Sequence, residues 1–313
     1  MADEMATLSI VIPTYNALGK VEGLLTRLCH FHTKYGSGCE VIVSDDASTD
    51  GTAAQLRNQF PWLTVVEGRT NRGFGANVMA GAAHAKNEYL ATLNTDIELV
   101  GNPFKDLIDE LQRHPRLFAT MPLIFNRRLE KVENLSRLYC RRGLVWHTEL
   151  PEEEQWSSML RELLTSTADV KARLHDVAGT GRPILSVLCA AAFVCRRERF
   201  EQLGGFDPRY FPFYWEDVDL DYKARRYGWR CAVVPRAAVI HRHSETIDQV
   251  HGERKLQFLR LNQLRFVSAH LDQLKELRGA RLWWWMRSVR EAFGGDPFLR
   301  RAYFRAAFGL GDF

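Results

Sequence analysis

The chain has 313 residues, a length that suits one large α/β domain with an extension better than a single small domain. Hydrophobic residues make up 46% and charged residues 26%, ordinary values that exclude wholesale disorder, collagen-like repeats and a multi-span membrane protein. The formal net charge of +4, from 42 Lys and Arg against 38 Asp and Glu, is too small for a dedicated nucleic-acid binder.

Strand and helix patterns alternate through the first hundred residues. Apolar runs with the length of a buried strand lie at Leu8–Pro13, Glu40–Ser44, Leu63–Glu67 and Tyr89–Asn94. Helical spacing of apolar or small residues lies between them, at residues 21–31, 52–60 and 76–85. This βαβαβαβ order predicts a mainly parallel sheet covered by helices on both faces. Ligands of such sheets bind beyond the carboxyl ends of the strands.

The rest of the chain continues the pattern around one insertion. The predicted elements are a helix at 106–112, a strand at 117–125, a buried segment at 184–195, a helix at 197–203, a helix that starts near Asp217 and a strand at 231–240. Residues 127–183 are predicted to be an insertion that shapes one wall of the site, with a helix opened by Pro151. The chain is predicted to be helical from Leu256 onward.

Polar residues follow three of these strands at the point where each strand ends. Thr14, Tyr15 and Asn16 come after the first strand, Asp45 and Asp46 after the second, and Thr95 and Asp96 after the fourth. Because the carboxyl ends of parallel strands meet at one edge of a sheet, we expect these residues to converge there.

The turn DDASTDGT after the second strand has a structural and a functional interpretation. Ser48 or Thr49 can cap the following helix, which leaves the Asp45 carboxylate free to accept hydrogen bonds from a nucleobase or a ribose hydroxyl. A calcium loop is excluded, because a pattern started at Asp46 has Arg57 where a bidentate glutamate is required.

The segment Asn71-Arg-Gly-Phe-Gly precedes the third predicted helix. It can turn the backbone amide of Gly73 and the side chain of Arg72 toward an anion, or it can serve as a structural turn. It departs from G-x-G-x-x-G at Val78, and the chain has no G-x-x-x-x-G-K-[ST] loop. Dinucleotide oxidoreductases and P-loop kinases are therefore disfavoured.

Two acidic segments are candidates for the chemistry. Asp96, in NTDIEL, suits Mg²⁺ or Mn²⁺ when a diphosphate supplies the remaining ligands, and His241 is favoured over His243 as a second ligand. The acids of Trp215-Glu-Asp-Val-Asp-Leu-Asp can simply stabilise a helix start. Alternatively, a carboxylate held among aromatic residues has its pKa raised by desolvation and acts as a general base.

The C-terminal region combines tryptophan with arginine. Helical spacing places Leu282, Trp285, Met286, Val289 and Phe293 on one stripe, and seven arginines face two acids between residues 278 and 305. This composition suits an anionic membrane surface. The alternative is a helix that packs on the catalytic body or on a second subunit of an oligomer.

Cysteine usage and the N-terminus indicate the compartment. The six cysteines include no CxxC pair, so a reducing environment is expected. The sequence MADEMATLSIV lacks the features of a secretory signal, and no apolar run reaches the ~18 residues of a spanning helix. We expect a cytoplasmic protein that can attach peripherally to the inner face of the cell membrane.

Six segments, in order, resemble the inverting family-2 glycosyltransferases with the GT-A fold, particularly bacterial rhamnosyltransferase-like members that build surface polysaccharides. They are SIVIPTYN, VSDDASTDGT, NRGFGAN, LNTDIEL, GGFDPRYFPFYWEDVDLDYKAR and HRHS. The resemblance implies a Rossmann-like, mainly parallel sheet in a GT-A domain over residues 1–250, followed by a helical extension over residues 251–313.

The resemblance also implies a reaction. A hexose, rhamnose or another, moves from a nucleoside-diphosphate donor to a hydroxyl of a surface-polysaccharide or lipid-linked glycan acceptor. The implied roles are nucleoside contacts by Thr14, Tyr15, Asn16 and Asp45, a metal at Asp96 and His241, and catalysis by Asp217 as base. Arg72 and Gly73 are predicted to contact the nucleotide, and Trp215 and Glu216 the acceptor.

Two other functions are weighed against this one. A sugar nucleotidyltransferase normally carries a glycine-rich, Arg-containing loop after its first strand, where this chain has Pro13-Thr14-Tyr15-Asn16. A carbohydrate- or membrane-binding module without catalysis would release no nucleoside diphosphate.

Overall fold

A computed structural model describes residues 7–35, 38–150, 183–242, 254–277, 279–292 and 295–310. The first half of the chain alternates strands and helices as its apolar pattern predicts. Its strands are β1 (Leu8–Thr14), β2 (Cys39–Asp45), β3 (Thr64–Glu67), β4 (Tyr89–Leu93), β5 (Ile97–Val100) and β6 (Leu117–Asn126). Its helices are α1 (Leu18–Tyr35), α2 (Thr52–Gln59), α3 (Phe74–Ala82) and α4 (Pro103–Arg113).

The second half adds a hairpin, the remaining strands of the sheet and five helices within the described ranges. The strands are β7 (Ser136–Arg141), β8 (Leu144–Glu149), β9 (Ile184–Leu185), β10 (Ala192–Arg196) and β11 (Arg230–His241). The helices are α5 (Arg197–Gln202), α6 (Glu216–Arg226), α7 (Lys255–His270), α8 (Ala280–Glu291) and α9 (Pro297–Phe308). The helix predicted to open at Pro151 lies outside the described residues, as do His243 and Phe293. The predicted domain boundary near residue 250 lies outside them too and stays a prediction.

Nine strands form one sheet. Eight of them follow the order β3-β2-β1-β4-β10-β6-β11-β5, and β9 pairs with the opposite end of β11. The pairs among β1 to β4 and the β6–β11 pair are parallel, whereas β5 and β10 run antiparallel to their neighbours. The predicted fold class, α/β with a mostly parallel sheet, is confirmed.

Helices cover both faces of this sheet. Along β1, Ile10 and Ile12 join an apolar cluster with α1, α2 and α4, whereas Val11 joins a second cluster with α3, α5 and α6. All seven residues of β1 are buried. The sequence of a strand that is covered on both faces is a continuous apolar run rather than an alternating pattern, so β1 could be predicted from the sequence.

The apolar pattern missed β5 and the hairpin formed by β7 and β8. β5 has four residues and pairs antiparallel with β11, which lies about 140 positions later in the chain. In β7, half-buried residues alternate with exposed ones, so the strand carries no apolar run. The hairpin occupies part of the predicted insertion at 127–183.

The C-terminal helices pack on the hairpin. α7, α8 and α9 share a third apolar cluster with Leu144 and Val145 of β8 and with Trp215 and Val218. The indole of Trp284, on α8, donates a hydrogen bond to the carbonyl oxygen of Gly143 at 2.8 Å. Among the residues that the structure describes, no helix has the length and apolar character needed to span a bilayer.

Candidate active site

The predicted polar residues line one edge of the sheet. Thr14 and Asp45 are register partners at the ends of β1 and β2. His241, at the end of β11, pairs with Ile97, the residue after Asp96. Ala192, at the start of β10, pairs with Leu93 at the end of β4. The sheet therefore brings the ends of six strands that run in one direction, β1 to β4, β6 and β11, and the starts of β5 and β10 to one edge.

The loops after β1 and β2 are bonded to each other. The backbone amide of Asn16 donates to the Ser48 hydroxyl at 2.8 Å, and the amide of Thr49 donates to the side-chain oxygen of Asn16 at 2.8 Å. Tyr15 is half-buried, whereas Thr14 is buried and its hydroxyl has no hydrogen-bond partner among the described residues. The two loops form one unit beside the strand ends.

Asp45 is buried within this unit. Its carboxylate accepts hydrogen bonds from the hydroxyl of Ser48 and, at 3.3 Å, from the Ser48 backbone amide. Ser48 and Thr49 therefore do not cap α2, and that expectation is wrong; Asp50 accepts from the backbone amide of Thr52 at 3.1 Å instead. Burial raises the pKa of Asp45, against the opposing effect of the Ser48 hydrogen bonds.

The amides before α3 bind a carboxylate of the protein itself. The backbone amides of Arg72 and Gly73 donate to the side chain of Asp46 at 2.9 and 2.8 Å. The Gly73 amide thus faces an internal carboxylate, as the structural-turn alternative allows, and its predicted contact with the nucleotide stays a prediction. The exposed side chain of Arg72 is the part of this segment that can reach a ligand.

Gly73 is also required by the close approach of two loops. Its φ is +84°, and a Cβ at this position would lie 2.7 Å from the carbonyl oxygen of Pro212. The amide of Phe74 donates to the same oxygen at 2.9 Å. The start of α3 thus supports the aromatic loop that leads into α6.

Asp96 and His241 meet at the end of β11. The Nε2 atom of His241 lies 3.3 Å from Oδ1 of Asp96, and its Nδ1 atom lies 3.1 Å from Oε2 of Glu133. Burial on its own would lower the pKa of His241, but hydrogen bonds to Asp96 and Glu133 outweigh it and raise the pKa to about 9. Glu133 fixes the orientation of the imidazole ring.

This pair fits a divalent cation that shares its ligands with a substrate. Within the described ranges, no group of three or more His, Cys, Asp and Glu side chains is arranged to hold a metal by itself. Asp96 offers a carboxylate oxygen, and His241 offers its Nε2 atom once a cation displaces the proton that its raised pKa retains. Mg²⁺ and Mn²⁺ accept such a partial set when diphosphate oxygens complete it.

Asp217 lies in the first turn of α6, and backbone amides hold both of its carboxylate oxygens. Oδ1 accepts from the amide of Val218 at 2.8 Å, and Oδ2 accepts from the amide of Ala190 at 3.2 Å. Burial raises the pKa of Asp217, and the charge of His147 and these amides oppose the increase. The carbonyl oxygen of Ala191 accepts from the amide of Asn94 at 2.9 Å, so the Ala190–Ala191 segment connects the Asp217 carboxylate to the strand end that carries Asp96.

The two residues before Asp217 are buried. Trp215 is 4% exposed and packs on Phe266 of α7, with ring centroids 5.3 Å apart, and on His147 of β8. Glu216 is 5% exposed, and its Oε2 atom has no hydrogen-bond partner among the described residues. Burial, followed by the charge of Asp217, raises the pKa of Glu216 well above its ordinary value. Their predicted contact with the acceptor stays a prediction.

The structure adds residues that the sequence reasoning did not select. They are Glu133, His147, Ala190 and Asn262. Ala190 lies in the apolar segment VLCAAAF that leads into β10. Glu133, His147 and Asn262 stand in no recognisable motif, because their roles depend on contacts between distant parts of the chain.

Comparisons with known proteins show the family of this chain. A family model described as "Glycosyl transferase family 2" matches residues 9–171, more than half of the chain. N-acetylglucosaminyl-diphospho-decaprenol L-rhamnosyltransferase of Mycobacterium tuberculosis (strain CDC 1551 / Oshkosh) is 28% identical over 220 residues, which are 64% of this chain and 66% of that protein. Undecaprenyl-phosphate 4-deoxy-4-formamido-L-arabinose transferase of Edwardsiella ictaluri (strain 93-146) is 28% identical over 176 residues, 53% of this chain and 51% of that protein. The chain thus spans just under two thirds of the first of these relatives and about half of the second.

Two solved structures share the fold. GalNAc-T7 with UDP, GalNAc and Mn²⁺ superposes with a TM-score of 0.61 at 18% identity. The match covers 97% of this chain and 55% of the GalNAc-T7 chain. The mannosyltransferase PcManGT from Pyrobaculum calidifontis, in complex with GDP-Man and Mn²⁺, has a TM-score of 0.52 at 17% identity and covers 99% of this chain and 84% of its own. These similarities agree with the predicted GT-A architecture.

Proposed function

Because this chain belongs to glycosyl transferase family 2, we propose that it transfers a sugar from a nucleoside-diphosphate donor to a hydroxyl of a lipid-linked or surface-polysaccharide glycan. Rhamnose is the sugar that we favour, because a relative that matches 64% of the chain is named as an L-rhamnosyltransferase. That name also gives a diphospho-decaprenol acceptor carrying N-acetylglucosamine, which makes a polyprenyl-diphosphate sugar the first acceptor to test.

One observation carries the proposal. Asp217 accepts from Ala190, and Ala191 accepts from Asn94, two positions before Asp96. A base and a metal-binding acid held on opposite sides of one short segment are close enough for a single sugar diphosphate to reach both. This supports assigning both side chains to one reaction.

The reaction that we propose is a single displacement with inversion. Asp217 removes the proton from the acceptor hydroxyl while its oxygen bonds to the anomeric carbon of the donor. The bond from that carbon to the diphosphate oxygen breaks at the same time, and the nucleoside diphosphate leaves. A raised pKa suits this role, because a general base works best when its pKa lies near the operating pH.

The donor binds at the edge formed by the loops after β1 and β2. Thr14, Tyr15, Asn16 and Asp45 are the proposed nucleoside contacts, and the exposed Arg72 side chain offers positive charge to the diphosphate. Asp96 and His241 would hold Mg²⁺ or Mn²⁺, which when bound offsets the negative charge that develops on the leaving diphosphate. Glu133 keeps the His241 ring oriented.

A ligand screen tests the function. Nucleoside diphosphates and nucleotide sugars, including rhamnose donors, are added with and without Mn²⁺, and the melting temperature is measured. A ligand that binds the native state raises it. We expect one nucleoside diphosphate to stabilise the chain in a metal-dependent way, and its sugar conjugate to release that diphosphate when the polyprenyl-diphosphate acceptor is present. Stabilisation without release would favour a non-catalytic binding module, and release of pyrophosphate from a nucleoside triphosphate would favour a nucleotidyltransferase.

We further propose that α8 and α9 bind the surface of an anionic phospholipid bilayer. Leu282, Trp285, Met286 and Val289 recur at helical spacing and are 61, 45, 38 and 40% exposed, on the side of α8 opposite the buried Trp284. The outward side of this helix is therefore apolar, the reverse of an ordinary surface helix. On α9, Phe304 and Phe308 are exposed as well.

The charges beside this apolar stripe favour a lipid surface over a second copy of the chain. The described parts of α8 and α9 carry six arginines against two acids, Glu291 and Asp296. Both acids are engaged within the fold: Glu291 pairs with Arg287 at 3.4 Å, and Asp296 accepts from Phe298 and Gln257. Exposed arginine next to tryptophan and phenylalanine suits the headgroup region of an anionic bilayer.

Vesicle sedimentation tests this assignment. The full chain should sediment with vesicles that contain anionic phospholipid, and less so as salt increases, because salt screens the arginine–lipid attraction. Replacing Leu282, Trp285 and Met286 by Gln should abolish sedimentation. Replacing the exposed Tyr227 and Leu185 by Gln is the matched control and should not. Equal binding by both variants, or a dimer in light scattering that the stripe variant alone loses, would contradict the membrane assignment.

A further inference from the structure

The loop that leads to Asp217 has a backbone that requires support. Residues 211–215 connect a short 3₁₀ turn, Pro208–Tyr210, to α6. Tyr214 and Trp215 have φ angles of +71° and +78°. Side chains with a Cβ rarely adopt this left-handed conformation, which costs on the order of 1 kcal/mol or more per residue. Surrounding contacts must therefore hold the loop in place.

One buried amide on α7 meets three carbonyl groups of this loop. The Nδ2 atom of Asn262 lies 2.8 Å from the carbonyl oxygens of Tyr210 and Phe213 and 3.1 Å from that of Tyr214. Asn262 is fully buried. An amide nitrogen has two hydrogens, so the three carbonyls share them. The asparagine donor thus stabilises both the start of the loop and its left-handed end.

Arg265, one turn further along α7, orients this amide. Its Nη1 atom donates to the Oδ1 atom of Asn262 at 2.8 Å and to the carbonyl oxygen of Arg209 at 2.7 Å. Because the oxygen of the Asn262 amide faces a guanidinium, its nitrogen must face the loop. Two neighbouring side chains of one helix therefore bind the backbone of the 3₁₀ turn and of the loop that follows it.

Two further residues of α7 contact the chain on either side of Asp217. Phe266 packs on Trp215, and Nε2 of His270 lies 2.7 Å from Oδ1 of Asp219. Asp219 follows Asp217 by two positions on α6. The same helix of the C-terminal region therefore contacts the chain before and after Asp217.

We propose that Asn262 is a positioning residue for the transfer reaction. It holds residues 210–215 so that Asp217 presents its carboxylate to the acceptor hydroxyl, and Arg265 keeps the amide in the required orientation. The proposal rests on the proposed role of Asp217 as base. It extends the catalytic apparatus to α7, which lies beyond residues 9–171 matched by the family model.

Two isosteric variants on adjacent residues test the role. Asn262→Asp keeps the size of the side chain but replaces the donor with oxygen atoms that face three carbonyls. Gln263→Glu is the matched control, because Gln263 is also buried and donates to a backbone carbonyl, that of Val145 in β8, away from the loop. We measure kcat, the donor KM and the melting temperature of both variants.

Asn262→Asp should lower kcat about 100-fold, since a displacement of a reacting group by ~1 Å has an effect of this size. The donor KM should stay within about threefold of wild type, because the donor loops lie on β1 and β2 and do not contact α7 through Asn262. Gln263→Glu should retain kcat within about threefold of wild type, even if its melting temperature falls as far as that of Asn262→Asp. A kcat within threefold of wild type for Asn262→Asp, or equal losses in both variants, would overturn the proposal.

Two further measurements keep the proposal testable if Asn262→Asp folds poorly. Arg265→Gln changes a partly exposed residue and should lower kcat about tenfold with an unchanged donor KM. Hydrogen exchange of the amides of residues 213–217 needs no substrate, and it should accelerate in Arg265→Gln and Asn262→Asp but not in Gln263→Glu. Unchanged exchange would refute the role of Asn262, whereas absence of transfer by the wild-type chain would refute the proposed function instead.

Discussion

Two sides of the site are built differently. The donor edge consists of the loops after β1 and β2 and the start of α3, and the base-bearing side consists of residues 210–217. At the donor edge, both carboxylates and the Asn16 side chain are held by donors of the loops: Asp45 by Ser48, Asn16 by Thr49, and Asp46 by the amides of Arg72 and Gly73. On the base-bearing side, Glu216 keeps a buried carboxylate oxygen without a partner among the described residues. Left-handed backbone angles occur on both sides, at Asn16 and Ala47 and at Tyr214 and Trp215.

This difference indicates how stability is distributed. The two carboxylates of the donor edge are oriented before any ligand arrives, because loop groups donate hydrogen bonds to both of them. On the base-bearing side, the buried Glu216 carboxyl costs stability, and burial raises the pKa of Asp217 toward the range that a general base needs. Variants on the two sides should therefore separate donor binding from chemistry.

The largest effect should come from Asp217→Asn. The amide cannot accept the acceptor proton, so kcat should fall about 1,000-fold or more, within the range for loss of general-base catalysis. The affinity for the nucleoside diphosphate, measured by titration calorimetry, should not change, because that ligand binds at the donor edge. Asp109→Asn, at a half-buried acid on α4 that pairs with Lys105, is the control. Activity within tenfold of wild type would reject the role of Asp217.

Asp96→Asn and His241→Gln should give the next largest effect. Each removes one of two protein ligands of the proposed cation, so the metal concentration for half-maximal activity should rise about 10- to 100-fold. Glu133→Gln should act in the same direction but more weakly, since it loosens the His241 ring. Metal titrations of transfer activity measure all three. If Asp96→Asn needs no more metal than wild type for half-maximal activity, the proposed cation site at Asp96 and His241 is wrong.

The pH dependence of kcat should report the burial of Asp217. A base must be deprotonated, so activity is lost as pH falls through its pKa, by about tenfold per unit below it. Because burial raises the pKa of Asp217, the acid limb should lie above the ordinary aspartate value of about 4. An acid limb at or below pH 4 would mean that the carboxyl is solvated in the working enzyme.

The smallest effect concerns stability. The folded-state pKa of Glu216 is raised, so its contribution to folding is present below the unfolded pKa and lost as pH rises through the folded value. Glu216→Gln should therefore raise the melting temperature by about 2 °C or more at neutral pH, and the gain should vanish near pH 4. Thermal melts across this pH range, with Glu198→Gln on the exposed side of α5 as control, measure the difference. A gain that is independent of pH would exclude titration of Glu216 as the cause.

Much of the donor edge could be predicted from the sequence. β1 is an uninterrupted apolar run, and Asp45, Asp96 and His241 each stand at the end of a strand, so the common direction of β2, β4 and β11 brings them to one edge, with the antiparallel β10 between β4 and β6. The capture of the Arg72 and Gly73 amides by Asp46 could not be predicted. It requires knowledge that the start of α3 lies beside the end of β2.

The base-bearing side was harder to predict, because its contacts also join residues that are far apart in the chain. Asp217 was found from its acidic and aromatic neighbours in the chain. Ala190 donates to its carboxylate, the charge of His147 acts on its pKa, and Asn262 holds the loop before it, and no local pattern marks these three residues. On α8, helical spacing identified the apolar stripe but not whether it faces the protein or the solvent. The buried Trp284 occupies the contact with the hairpin, so the stripe faces outward.

The configuration of the transferred sugar tests the central claim most directly. NMR of the anomeric centre is recorded for the donor and for the product of the wild-type chain. A single displacement by an acceptor oxygen that Asp217 deprotonates predicts inverted configuration in all of the product. Retained configuration would contradict the account, because it would require attack from the face that the leaving diphosphate occupies or a covalent intermediate on the protein.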